Sequence, residues 1–141
     1  MSSFRKINAI LAMEETGLVP LFFNSDPEIC KKVIASCHAG GAKVFEFTNR
    51  GYFAHEVFAD VRKWAIRELP DLMIGAGSVP DAPTAAIFMQ MGADFIVSPY
   101  LNPEVARICN RRKVLWIPGC GTMTEISQAE ELGAEIVKIF P

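Results

Sequence analysis

Histidine is scarce in this sequence. Only His38 and His55 are present among 141 residues, and they fall on different predicted elements. A metal site built on three histidines therefore cannot come from this one chain. The glycine-rich phrase at 75–78 is not a complete G-x-G-x-x-G, so a dinucleotide site is not predicted either. We expect any catalysis to proceed without a metal ion or other cofactor.

Long hydrophobic runs and basic blocks are also missing. The sequence is 50% hydrophobic, but its longest apolar runs have the length of a strand and not of a membrane-spanning helix. The N-terminal segment lacks a signal-peptide pattern, because the apolar stretch after Lys6 is short and is interrupted by Glu14. The formal net charge is -2, which does not suggest a face for nucleic acid. These absences predict a cytoplasmic protein that binds neither membrane nor nucleic acid.

The sequence has no C-x-x-C pair. Its four cysteines are Cys30, Cys37, Cys109 and Cys120. The composition is not that of a small disulfide scaffold, so we expect free thiols in a reducing compartment. Cys120 follows a predicted strand, but no histidine is evident beside it. We interpret Cys120 as a small loop residue and not as a nucleophile.

The sequence does contain a regular alternation of strand-like and helix-like segments. Six strands are predicted, at 18–23, 43–48, 72–76, 95–97, 114–117 and 135–141, and helical patterns precede and separate them. Thr122 and Glu125 form a capping box for the last helix. Repeated strand–helix units predict a parallel sheet. A complete (β/α)₈ barrel usually needs about 250 residues, so residues 1–141 predict a single α/β domain, open or closed.

The last predicted strand carries a lysine in an apolar run. Lys138 shares one strand face with Ile136 and Phe140, while Val137 and Ile139 occupy the other face. Burial disfavours the ammonium form of a lysine, and a neutral amine is a nucleophile able to form a Schiff base with a carbonyl. The alternative is a strand-end lysine that extends to water.

Other polar residues are predicted at the same edge of the sheet. Glu46, Thr48 and Arg50 alternate on one face of the second strand, and Ser78 follows the third. Functional groups gather at the C-terminal ends of parallel strands. Together with Lys138 they supply a proton carrier, a carboxylate clamp, a hydroxyl donor and a nucleophile. The alternative for Glu46 and Arg50 is a buried ion pair that only satisfies itself.

Five phrases carry a resemblance to a known family. They are Val44-Phe45-Glu46-Phe47-Thr48-Asn49-Arg50, Gly75-Ala76-Gly77-Ser78-Val79, Ser98-Pro99, Ile117-Pro118-Gly119 and Val137-Lys138-Ile139-Phe140-Pro141. With their spacing, these phrases resemble the 2-keto-3-deoxy-6-phosphogluconate (KDPG) / 4-hydroxy-2-oxoglutarate aldolases. The resemblance implies a TIM-type (β/α) barrel, here with about six strand–helix units of a (β/α)₈ barrel and incomplete at its C-terminus, because the family's last two units and their phosphate site are missing.

The resemblance also implies a chemistry. Lys138 is expected to form the Schiff base, Glu46 to move protons, and Arg50 and Ser78, where the family usually has threonine, to hold the substrate carboxylate. Thr48 and Pro99 are further expected substrate contacts. The implied reaction is reversible cleavage of a 2-keto-3-deoxy sugar acid phosphate to pyruvate and an aldehyde such as glyceraldehyde 3-phosphate, by a homotrimer of the Entner–Doudoroff pathway.

Other functions stay open at this point. One is cleavage of 4-hydroxy-2-oxoglutarate to pyruvate and glyoxylate. Another is a module that binds a keto acid without turning it over. A third is a different phosphate-binding barrel enzyme, such as a thiamine-phosphate-synthase-like protein, and the combination of Glu46, Arg50 and Lys138 argues against it.

Overall fold

A computed structural model describes residues 4–141 of the chain. Helices and strands alternate throughout this range. They are α1 (Lys6–Thr16), β1 (Leu21–Phe22), α2 (Pro27–Ala39), β2 (Val44–Thr48), α3 (Ala54–Glu68), β3 (Met73–Gly77), α4 (Ala82–Gln90), β4 (Phe95–Ser98), α5 (Pro103–Arg112), β5 (Leu115–Cys120), α6 (Met123–Glu131) and β6 (Lys138–Ile139). The prediction of alternating strand–helix units is confirmed.

The six strands form one sheet in the order β1-β2-β3-β4-β5-β6, and every neighbouring pair is parallel. In a flat sheet β2 and β6 would lie roughly 19 Å apart, since neighbouring strands are about 4.8 Å apart. Instead, Lys138 Nζ on β6 lies 3.6 Å from the Glu46 carboxylate on β2. The sheet is therefore strongly curled. Its shape is an open part of a TIM-type barrel, as the sequence predicts.

Side chains on the concave face of the sheet form the smaller of two apolar cores. Residues from four strands contribute to it, namely Val44, Met73, Phe95, Val97, Leu115 and Ile117. Helix α1 closes its base with Ala9, Ala12 and Met13. An ion pair of 2.7 Å between Lys6 and Glu135 joins α1 to the segment before β6. The N-terminal helix thus contacts the segment that leads into the last strand.

The larger core lies between the convex face of the sheet and helices α2 to α5. Phe45 and Phe47 alternate with Glu46 along β2 and point into this layer. Phe47 packs edge-on against Phe58 at 5.4 Å between ring centroids, and Phe58 against Phe88 at 5.1 Å. The alternation along β2 therefore separates a packing face from a face that carries functional groups.

A buried ion pair crosses this outer layer. Arg62 of α3 contacts Asp94 at 2.9 Å, and both side chains are almost fully buried. Arg62 Nε donates to the Gly92 carbonyl at 2.7 Å, and Asp94 accepts from the Ile74 backbone N–H at 3.0 Å. Further hydrogen bonds of this kind are needed to offset the desolvation of two buried charges. The pair fastens α3 to the loop that leads into β4.

The two outer strands differ from the prediction. β1 contains two residues instead of the six predicted, and β6 contains two instead of seven. Each has a hydrogen-bonded neighbour on one side only, so its side chains have less protein to pack against. Ile139 is 70% exposed. The prediction of a buried last strand is therefore wrong.

The helix signals read from the sequence are accurate. The Thr122 hydroxyl accepts a hydrogen bond from the Glu125 backbone N–H, and the Glu125 carboxylate accepts one from the Gly121 N–H at 2.9 Å.

Strand β5 runs beyond its predicted end at Ile117 and includes Pro118. No helix within residues 4–141 is long and apolar enough to cross a bilayer.

Candidate active site

The C-terminal ends of the strands surround a small polar pocket. Its lining residues are Glu46, Arg50, Ser78, Val97, Ser98, Pro99, Lys138 and Phe140. Five of the six residues predicted for the site from the sequence are among them. The curl of the sheet brings these groups together from strands or following loops that are up to four places apart.

Glu46 is the buried acid of the pocket. It is 5% exposed, and its side chain occupies the space above Gly77, where a Cβ would overlap it. Within residues 4–141 its one ion-pair partner closer than 4.0 Å is Lys138. Burial raises the pKa of Glu46, and the charges of Lys138 and Arg50 only partly oppose that effect. A carboxyl with a raised pKa is suited to exchange protons near neutral pH.

Lys138 lies on β6 opposite Gly119 of β5. Its side chain is 33% exposed, so it is neither in an apolar interior, as the sequence suggested, nor free in water. Its ammonium group lies 5.5 Å from the centre of the Phe140 ring as well as near Glu46. Because β6 is an outer strand, the amine can be reached from solvent while its lower part packs against protein.

Arg50 does not belong to β2. The strand ends at Thr48, and Arg50 follows in the loop with an exposed side chain. Its backbone N–H donates to the Thr48 carbonyl at 2.9 Å, which turns the chain back toward the pocket. The alternative of a buried Glu46–Arg50 ion pair is therefore wrong. Arg50 lines the pocket with an exposed side chain.

Ser78 follows the end of β3 in a left-handed conformation, with φ of 55°. This conformation is uncommon for residues other than glycine, and it turns the serine toward the same pocket as Arg50. Of the other predicted contacts, Pro99 lines the pocket, whereas Thr48 is buried and does not. The Ser98 hydroxyl accepts a hydrogen bond from the Trp116 indole at 2.9 Å.

An apolar groove adjoins the polar pocket. It lies between the α1–β1 side of the sheet and β6, and its volume is about 650 Å³. Glu46 and Lys138 lie at one end of it, and the rest is mostly apolar, with Ile10, Met13, Leu18, Val19, Phe95, Val97, Ile117 and Ile136 among its lining residues. The concave face of the sheet is thus open along this side.

Two other features do not form a site. Burial raises the pKa of the Cys120 thiol, so it is not the reactive thiolate that a cysteine nucleophile requires. The four cysteines are unpaired. In the part of the chain that the structure describes, no three side chains of types that bind metals lie close enough to hold an ion.

Sequence reasoning missed the glycines that make room for the site. Gly77 leaves space for Glu46, and Gly119 leaves space for the Pro99 carbonyl, which a Cβ would overlap. Both glycines belong to phrases noted in the sequence. Their surroundings come from neighbouring strands, and the curvature of the sheet decides how closely those strands approach.

Comparison with known proteins identifies the family of the chain. A family model described as KDPG and KHG aldolase matches residues 9–141. A 2-dehydro-3-deoxy-phosphogluconate aldolase of Treponema pallidum is 34% identical over 92% of this chain and 60% of its own length. One of Haemophilus influenzae is 29% identical over 99% of this chain and 64% of its own length. The chain thus spans about three fifths of these relatives.

Solved structures show the same fold. A 4-hydroxy-2-oxoglutarate aldolase/2-deydro-3-deoxyphosphogluconate aldolase from TTHB1 superposes with a TM-score of 0.79 at 30% identity, over 94% of this chain and 63% of that one. A KDPG aldolase from Legionella pneumophila, with pyruvate captured as a covalent carbinolamine, gives a TM-score of 0.77 at 26% identity, over 87% and 58%. The chain belongs to the KDPG and KHG aldolase family.

Proposed function

We propose that this site catalyses the reversible aldol cleavage of a 2-keto-3-deoxy sugar acid phosphate, such as KDPG, through a Schiff base on Lys138. The observation that carries the proposal is the 3.6 Å contact between the Lys138 amine and the Glu46 carboxylate, because it joins a nucleophile to a proton carrier. The pyruvate carbinolamine in the Legionella pneumophila relative supports the same chemistry.

The first half of the reaction builds an electron sink. The neutral Lys138 amine attacks the C2 ketone to give a carbinolamine, and loss of water leaves an iminium ion. Glu46, next to the amine, is placed to pass the protons that these steps require. Arg50 would pair with the substrate carboxylate through its two-donor fork, and the Ser78 hydroxyl would donate to it.

The second half breaks the carbon–carbon bond. Ionised Glu46, directly or through a water molecule, takes the proton of the C4 hydroxyl. The C3–C4 electron pair moves to the iminium, which releases glyceraldehyde 3-phosphate and leaves an enamine on Lys138. Protonation at C3 and hydrolysis then yield pyruvate and the free amine. Acid–base assistance of this kind contributes roughly 10²–10⁴ in rate.

Two alternatives are distinguished by the substrate. The TTHB1 relative is named for both 4-hydroxy-2-oxoglutarate and the phosphogluconate substrate, which favours testing cleavage to pyruvate and glyoxylate as well. A keto-acid-binding module would form the Schiff base with pyruvate but release no aldehyde from either substrate. Pyruvate release, measured with each substrate by a coupled dehydrogenase, separates the three.

The decisive experiment is borohydride trapping with pyruvate, followed by peptide mass mapping. We expect one adduct, on Lys138, and none with Lys138→Ala. Lys113→Ala is a matched control, because Lys113 is exposed and precedes the N-terminal end of β5, opposite the strand ends that carry the site, so its loss should leave trapping unchanged. An adduct on another lysine, or cleavage by Lys138→Ala, would overturn the proposal. Activity should also survive a chelator.

The remaining expectations rest on the family. We propose a cytoplasmic homotrimer that acts in the Entner–Doudoroff pathway. We also propose that residues 1–141 form one barrel domain and that further strand–helix units cover the apolar groove between β1 and β6. The groove and the two short outer strands support this. Hydrogen exchange on residues 1–141 should then show weak protection in β1 and β6, and uniform strong protection in a monomer would contradict it.

A further inference from the structure

On its β2 side, the turn after β3 is held by two hydrogen bonds from one residue, Asn49. The Asn49 backbone N–H donates to the Gly77 carbonyl at 2.8 Å, which extends the β2–β3 ladder by one bond. The Asn49 side-chain amide then donates to the Ser78 carbonyl at 3.4 Å. On the other side, the Val79 N–H donates to the Val97 carbonyl at 3.2 Å. Ser78 is therefore held at both ends of its peptide unit.

These hydrogen bonds hold Ser78 in an uncommon backbone conformation. Ser78 adopts φ of 55°, a region in which residues other than glycine are strained. Such a conformation persists only where the surroundings enforce it. The hydrogen bonds from Asn49 and to Val97 supply that enforcement. Without the Asn49 side-chain amide, the Ser78 carbonyl would lose its hydrogen bond, and the turn would be held only by the backbone bonds at Gly77 and Val79.

The position of Asn49 in the chain adds a second connection. Arg50 follows it directly, and both Arg50 and Ser78 line the polar pocket. The backbone of Asn49 thus leads to one of these groups, while its side chain holds the turn that carries the other. Asn49 therefore links two pocket residues, Arg50 and Ser78, that come from the loops after two different strands.

We infer that Asn49 is a positioning residue for the substrate carboxylate: its side chain acts through Ser78, and its backbone leads directly into Arg50. The inference rests on the proposed function in so far as that function assigns the carboxylate to these two groups. Asn49 does not line the pocket, so any action on the substrate passes through its neighbours. Its effect should therefore appear in the binding of the carboxylate and not in the carbon–carbon cleavage step.

The main test is Asn49→Leu, which keeps the approximate size of the side chain and removes the donor. A carboxylate clamp acts on ground state and transition state alike, so KM should rise about three- to tenfold with kcat nearly unchanged. Asn49→Gln keeps an amide donor and should recover part of the loss. A matched control is Asn110→Leu, because the Asn110 amide also donates to a backbone carbonyl, that of Leu132 at 2.8 Å, outside the pocket. It should lower stability without changing KM.

A double-mutant cycle then tests the route through Ser78. In a Ser78→Gly background the left-handed turn is no longer strained and the hydroxyl is gone, so Asn49→Leu should change KM less than twofold. Independent, multiplicative effects in the cycle would overturn the inference. An unchanged KM for Asn49→Leu, or a loss confined to kcat or thermal stability, would overturn it as well.

A second readout does not depend on the aldolase reaction. Lactate has the carboxylate of pyruvate but no ketone, so it cannot form a Schiff base. We would titrate the chain with lactate and follow the amide NMR shifts of Ser78 and Val79. The shifts should saturate, and Asn49→Leu should raise the dissociation constant. If trapping by pyruvate fails but this dependence on Asn49 is present, the proposed function falls and the positioning role stands. If lactate binds both proteins equally or not at all, the positioning role falls.

Discussion

Replacing Gly77 by alanine tests the spatial relation between Glu46 and Lys138. A Cβ at this position would lie 2.8 Å from Glu46 Cγ and 2.5 Å from its Cδ. An ordinary contact is 3.4 Å or more, so the carboxyl has to retreat by about 1 Å. A misplacement of that size in an active site can reduce the rate about 10²-fold. We therefore expect kcat to fall by about two orders of magnitude.

The same change also costs stability, and a neighbouring glycine provides the control. Overpacking of this kind costs about 1–3 kcal/mol. Gly75 lies two residues earlier in β3, and a Cβ there would overlap the Phe95 ring instead of Glu46. Gly75→Ala should therefore lose comparable stability but keep kcat per folded molecule. Urea unfolding and steady-state kinetics on both variants separate the two effects.

A third variant isolates the contact itself. In a Glu46→Ala background the space above Gly77 is empty, so Gly77→Ala should cost much less stability than in the parent chain. The reasoning is refuted if Gly77→Ala folds and turns over like the parent, or if Gly75→Ala loses as much kcat. An unchanged stability cost in the Glu46→Ala background would equally refute it.

Three further predictions follow from the same structure. Burial raises the pKa of Glu46, so ionisation of this carboxyl opposes folding. The free energy of unfolding, compared with that of Glu46→Gln, should therefore fall as the pH rises from about 4.5 through the raised pKa. Urea titrations that show the opposite slope would contradict this. Arg62→Met leaves Asp94 buried without its guanidinium and should cost about 3–5 kcal/mol with KM unchanged; a cost below 1 kcal/mol would contradict it. Arg50→Lys should raise KM for the keto acid far more than Ser78→Thr, because lysine lacks the planar fork and threonine keeps the hydroxyl; equal changes would show that the carboxylate binds elsewhere.

Much of the fold is predictable because its signals are local. The capping box at Thr122 marks the start of α6 through the backbone chemistry of a few neighbouring residues. The alternation of Phe45, Glu46 and Phe47 also separates the two faces of β2. The ends of β1 and β6 are less predictable, because the length of an outer strand depends on neighbours distant in sequence.

The same distinction applies to the site. Glu46, Ser78 and Lys138 follow from the expectation that functional groups lie at strand ends. The exposure of Arg50 and the role of Gly77 do not, because both depend on where β2 stops and how sharply the sheet bends. Thr48 has the right alternation but lies outside the pocket, which shows that sharing a strand face is not sufficient for a contact.

The curl of the sheet would link binding at the proposed site to the shape of the whole domain. A molecule bonded to Lys138 on β6 and held at the ends of β2 and β3 would connect strands that are not neighbours in the sheet. By mass action, such a ligand at a hundred times its dissociation constant would add about 2.7 kcal/mol to the stability of the curled form. For the last strand, hydrogen-bonded to the sheet along one edge only, the ligand would add a covalent attachment to the ion pairs that Lys6 and Glu46 already make with this segment.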